Sequence, residues 1–135
     1  MADVELELVW EGGQRFAARA GDLSLGLDGE RQAGFSPVQA LAAALGGCMA
    51  IDVASILEKG RFDLKGLRLR LEAERNPKPT RSLSGVRLHF EIRGDVPEDR
   101  VERAIALSRE TYCSVWHSMN PATAFDTGFE VIHEG

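Results

Sequence analysis

Two cysteines carry most of the chemistry this sequence can offer. Cys48 follows directly on Gly46-Gly47 inside a long apolar stretch, and Cys113 follows an amphipathic one. Thiolates are nucleophiles, metal ligands and the reduced half of a disulfide. A glycine in a helix interior costs about 0.5–1 kcal/mol relative to alanine. A pair of them beside a cysteine points to close packing at the thiol's backbone, or to room left for the thiol to react. Asp52 lies one helical turn after Cys48, and its charge would raise that thiol's pKa unless a cation offsets it. Cys113 has Ser114, Trp116 and His117 close behind it, which implies partial exposure. If it starts a new helix, free N–H groups and the helix dipole favour its thiolate. A cysteine can equally serve as a small buried hydrophobe, and the sequence leaves that open at both positions.

Other chemistries find less support. His117 stands four residues after Cys113 and can share a helical face with it, so Cys48, Cys113 and His117 form a conceivable zinc set. No C-x-x-C or H-E-x-x-H accompanies it, and no metal or cofactor is expected. His89 falls on the charged side of an alternating strand and should point to solvent. Arg15 and Arg19 sit in an N-terminal hairpin. They read either as solvated strand arginines or as a cation that stabilises a thiolate and polarises a peroxide. There is no G-x-S-x-G, no phosphate-binding loop and no dinucleotide fingerprint.

The 135 residues suit a single domain spanning 1–135, large enough to need no disulfide or metal staple. Apolar residues make up 44% and charged ones 27%, as in folded globular chains. The net charge of −5 argues against nucleic acid or an anionic membrane surface as partner. The start, Met1-Ala2-Asp3-Val4-Glu5, lacks the apolar core of a signal peptide, and a cytoplasmic protein is expected. There, cysteines are reduced or cycling rather than permanently bridged. Val38 to Leu57 is long enough to suggest a membrane span, but Gln39, Asp52 and Ser55 favour a buried helix instead.

The elements that must position these groups follow from hydrophobic period. Residues 3–10 alternate as a strand, Glu11-Gly12-Gly13-Gln14 turns, Arg15 to Arg19 returns, and Leu23 to Leu27 forms a third strand ended by Asp28-Gly29. Ser36-Pro37-Val38-Gln39 has the pattern of a capping box with proline at the first helical position. The helix it opens runs to about Lys59-Gly60, some 33 Å in length. It is apolar on nearly every side, so something must surround it. Cys48, Asp52 and Ser55 form its one polar stripe. Strands follow at 67–72 and 86–93, separated by the loop Asn76-Pro77-Lys78-Pro79-Thr80. Pro97-Glu98-Asp99 opens a second helix whose inner face is Val101, Ile105, Ser108 and Tyr112, with Ala104 beside them. A short helix from Cys113 and a last strand from Ala124 to His133 complete an α+β order, βββ-α-ββ-α(α)-β.

The run S-P-V-Q-A-L-A-A-A-L-G-G-C-M-A from Ser36, together with Y-C-S-V from Tyr112, resembles the two cysteine motifs of the osmotically inducible protein C and organic hydroperoxide resistance (OsmC/Ohr) superfamily. G-G-C-x-A-x-D-V and Y-C-S-V are closest to its OsmC-like branch. The resemblance extends over nearly the whole chain. It implies an intertwined homodimer built around the long cysteine-bearing helix, with the partner subunit covering part of that helix. It also implies thiol-dependent reduction of organic or hydrogen peroxides, with Cys48 as the peroxidatic and Cys113 as the resolving residue, recycled by an external dithiol. The family's N-terminal arginine falls near Gln14 or Arg15, with Arg19 as a second choice. Active members carry a glutamate directly after the motif proline. Here that place is Val38, followed by Gln39, and Glu30 is the only nearby substitute. That departure keeps a second function in view, an OsmC-like binding module or a redox sensor without efficient turnover. Leu41, Leu45, Met49 and Trp116 are the apolar residues expected around a peroxide pocket.

Overall fold

Pairing partners, more than hydrophobic period, decide where the first strands begin and end. The structure is a computed structural model describing residues 2–134. It forms two compact units whose boundary falls inside the long helix, between Ala43 and Ala44. In the first unit, β1 (Glu7–Gly12), β2 (Arg15–Ala20) and β3 (Leu23–Asp28) make an antiparallel sheet in that order. The strand expected from residue 3 starts only at Glu7, which pairs with Arg19. The second strand ends one residue later, so the alternating residues before Glu7 have no ladder to join. The β1–β2 turn uses Gly12 and Gly13 at φ 106° and 56°, where a side chain would be strained.

Two cross-strand rows, Leu8–Ala18–Leu25 and Trp10–Phe16–Leu27, lie on one face of this sheet. Leu8, Trp10 and Leu25 are each more than half exposed. After β3, the carboxylate of buried Asp28 accepts backbone N–H groups from Glu30 at 2.8 Å, Ala33 at 3.0 Å and Gln32 at 3.3 Å. Those bonds, led by Ala33, hold its pKa below the usual carboxylate range. The loop they shape delivers the chain to Ser36. There the capping box forms as expected: Gln39 N–H donates to Ser36 Oγ at 3.1 Å, and Ser36 N–H to Gln39 Oε1 at 3.0 Å. Caps of this kind are worth about 1 kcal/mol. The helix they open is α1 (Pro37–Lys59).

The second unit holds most of α1, then β4 (Asp63–Arg75), β5 (Leu83–Asp95), α2 (Glu98–Leu107), a π-helical turn (Ser108–Tyr112), α3 (Ser114–His117) and β6 (Ala124–Ile132). β4 and β5 pair antiparallel along nearly all of their 13 residues each, well beyond the alternating cores at 67–72 and 86–93. β6 joins β5 in parallel, which demands a crossover, and the helices from Glu98 to His117 supply it. Leu45, Met49, Val53 and Leu57 recur every four residues along α1 and are buried with Val86, Leu88, Phe90 and Ile92 of β5 and Val101 and Ala104 of α2.

The glycine pair now divides in two. A Cβ on Gly46 would stand 3.1 Å from Leu69 Cδ2, so its absence lets α1 lie close on β4. A Cβ on Gly47 would have nothing within 4 Å. By length and composition α1 would also suit a bilayer. Its Leu45–Leu57 row is instead buried within this unit, while Ile51 on the opposite side is open.

Candidate functional site

Both cysteines belong to the second unit, and each is set by its own backbone element. Cys48 sits on α1 between the buried row and the open one, and is partly exposed. Cys113 is fully buried. It is the N-cap of α3, with extended backbone angles, and its Sγ accepts the N–H of Trp116 at 3.3 Å. The partial exposure expected for Cys113 is therefore wrong; it does start a new helix, whose N–H groups favour the thiolate as expected, but burial outweighs them. Burial dominates and pushes the Cys113 thiol up to about 11, with the Trp116 N–H opposing it. Interaction with the Cys48 side chain adds to the rise, so the two thiols lie within reach of each other. Both are free thiols. At neutral pH Cys113 thus keeps its proton and stands beside the more accessible Cys48. That pairing suits a nucleophile with a second thiol held in reserve.

The turn leading to Cys113 explains a second misreading. Helical period places Tyr112 on the inner face of α2, yet it is 57% exposed. The Cys113 N–H reaches back five residues to the Ser108 carbonyl at 2.7 Å, closing a π turn that rotates Tyr112 off the face. Such turns occur mostly as single local insertions in helices, often at functional sites. Ser108 is fully buried, and its Oγ donates to Asp52 Oδ2 at 2.8 Å. A hydrogen bond to a charged group contributes roughly 1.5–3 kcal/mol, and leaving the buried hydroxyl unpaired costs about as much. Asp52 is therefore engaged with the crossover one turn beyond Cys48. The sequence held one signal for this: a serine at a position whose helical neighbours Val101, Ala104 and Ile105 are all apolar.

The remaining candidates lie elsewhere. The His117 ring donates from Nε2 to the Arg109 carbonyl at 3.0 Å, so the conceivable zinc set with Cys48 and Cys113 is not assembled. Among the described residues no three His, Cys, Asp or Glu side chains gather closely enough to hold a metal ion. His89 is about half exposed on the outer sheet face, 3.4 Å from Glu130. Leu45 and Met49 are fully buried in the core and cannot line an open pocket. Trp116 instead packs against Phe125 with ring centroids 4.3 Å apart and the planes tilted by 49°, and the Arg109 guanidinium lies 4.9 Å over the Phe125 ring.

Residues 28–128 match the family model described as OsmC-like protein. The chain belongs to the OsmC-like family. Protein YhfA of Escherichia coli K12 is 40% identical over 98 residues, 72% of this chain and 73% of that one. A protein of Aquifex aeolicus VF5 of known crystal structure superposes with a TM-score of 0.92 at 27% identity, over the full length of both chains. An organic hydroperoxide resistance protein OsmC from Legionella pneumophila superposes with a TM-score of 0.71 at 19% identity, over 97% of this chain and 100% of its own. The α+β order expected from the sequence is thus the OsmC-like fold. The matched region contains Cys48, Asp52, Ser108 and Cys113 and excludes Arg15. Arg15 belongs to the first unit, where its Nη2 donates to the Glu11 carbonyl at 3.0 Å.

Proposed function

We propose that this OsmC-like protein is a thiol-dependent peroxidase for organic or hydrogen peroxides. The observation that carries the reading is the pairing of partly exposed Cys48 with buried Cys113, two free thiols that interact. Cys48, as thiolate, attacks one peroxide oxygen. The O–O bond breaks, alcohol or water leaves, and Cys48 becomes a sulfenic acid. The Cys113 sulfur then displaces that hydroxyl, its proton leaves with it as water, and a Cys48–Cys113 disulfide forms. An external dithiol reduces the bond by exchange. The organic substrate class follows the name of the Legionella relative. The cation of the reaction is left by the family resemblance to Arg15, with Arg19 as a second choice.

A second copy of the chain is the partner this reading adopts. The Leu8–Trp10–Leu25 sheet face and, on α1, Ile51 are exposed apolar groups of the kind a partner subunit covers. Free thiols and a recycling dithiol suit the cytoplasm. The test is hydroperoxide consumption by reduced protein with cumene hydroperoxide and dithiothreitol. Many peroxides consumed per chain are expected, and a rate no greater than that without protein overturns the proposal. Val38 at the family's glutamate position favours the competing reading of a redox sensor or binding module. Consumption that stops at one equivalent supports the sensor.

A further inference from the structure

The peroxidase reading uses two sulfurs and leaves a polar pair, buried Ser108 and half-buried Asp52, without a role. Asp52 stands one turn after Cys48 on α1, and its Oδ2 accepts the hydroxyl of Ser108 at 2.8 Å. Ser108 is fully buried, and its carbonyl accepts the backbone N–H of Cys113 at 2.7 Å. A single residue therefore holds the helix of one thiol through its side chain and the backbone of the other through its main chain. No ordinary helical pattern provides this link. It depends on the π turn, which brings the Cys113 N–H to the Ser108 carbonyl rather than to that of Arg109.

We infer that Asp52 and Ser108 act as a latch that holds Cys113 in position to close a disulfide with Cys48. Both are positioning residues: they act on the thiols through backbone placement and need not touch a substrate. The deduction rests on the proposed function only in its biological purpose. The geometric claim is that the pair sets the effective concentration of one thiol at the other. Proximity within a folded protein raises that quantity by many orders of magnitude, and loosening one contact lowers it. An aspartate suits the task because it only accepts hydrogen bonds when ionised, and Ser108 has a proton to donate. Asparagine at the same place keeps one carbonyl acceptor and loses the charge.

The test measures the Cys48–Cys113 equilibrium in glutathione redox buffers, where the protein dithiol plus glutathione disulfide gives the protein disulfide plus two glutathiones. No peroxide enters this reaction, so it is independent of peroxidase activity. Asp52→Ala and Ser108→Ala should each lower the effective concentration of the thiol pair by about tenfold or more, and the double variant should fall no further than the worse single one. Asp52→Asn should recover to within about threefold of the parent protein, because the acceptor remains. Circular dichroism and the thermal midpoint of each variant show whether it is folded, and Asp52→Asn serves as the second probe if an alanine variant is not. Parental effective concentrations in folded Asp52→Ala and Ser108→Ala overturn the latch. An Asp52→Asn value as low as that of Asp52→Ala also overturns it. A parent protein that ignores hydroperoxide while these shifts appear refutes the peroxidase and leaves the latch standing.

Discussion

Cys48→Ser is expected to lower hydroperoxide consumption by at least about a thousandfold, because an un-ionised hydroxyl replaces the attacking sulfur. The substitution changes a single atom at a partly exposed helix position, so the fold should be undisturbed. Both steps of the cycle are lost at once: no sulfenic acid forms, and Cys113 has no partner sulfur. The fall should appear in kcat/KM with no matching change in thermal midpoint. Retained turnover in Cys48→Ser would remove that residue from the mechanism and leave Cys113, buried and protonated, as an implausible sole nucleophile.

The second large effect belongs to Cys113→Ser. Serine is a favoured N-cap, and its oxygen can accept the Trp116 N–H that the sulfur accepts now, so α3 should survive. The chemistry should not. The first peroxide still converts Cys48 to a sulfenic acid, but no internal thiol resolves it. The adduct should be trappable by a sulfenic-acid reagent such as dimedone, and excess peroxide should drive it on to the sulfinic state. Turnover with dithiothreitol should fall by about tenfold or more, since a bimolecular reductant replaces a thiol already in place. An unchanged rate would show that Cys113 is a core residue without a resolving role.

How far these sites could be read from sequence depends on the range of the interaction involved. The Ser36–Gln39 box, Pro37 and the order of strands and helices are local patterns, and they form as read. Strand lengths are less local. β1 starts late because β2 ends, and β4 and β5 grow because they can pair to their tips. The two cysteines were visible as residue types with motifs around them, while their approach across the fold came from resemblance and not from spacing. The burial of Cys113 is not legible locally, because the serine and histidine near it suggest exposure. Those groups flank a four-residue helix whose cap is packed inside. The π turn left no period to detect, since it breaks the 3.6-residue repeat that would reveal a helix face. Helical period puts Ser108 on the inner face of α2 and Asp52 in the polar stripe of α1, but nothing in the spacing joins residues on two different helices.

The most direct test of the thiol pair is a thiol count on the reduced, unmodified chain before and after one equivalent of hydroperoxide, with the intact mass measured under non-reducing conditions. Both cysteines should disappear from the count together, and the chain should lose two hydrogen atoms in mass while remaining a single polypeptide, as an internal Cys48–Cys113 bond requires. A chain that keeps both thiols, or that gains oxygen at Cys48 while Cys113 stays free, would contradict it.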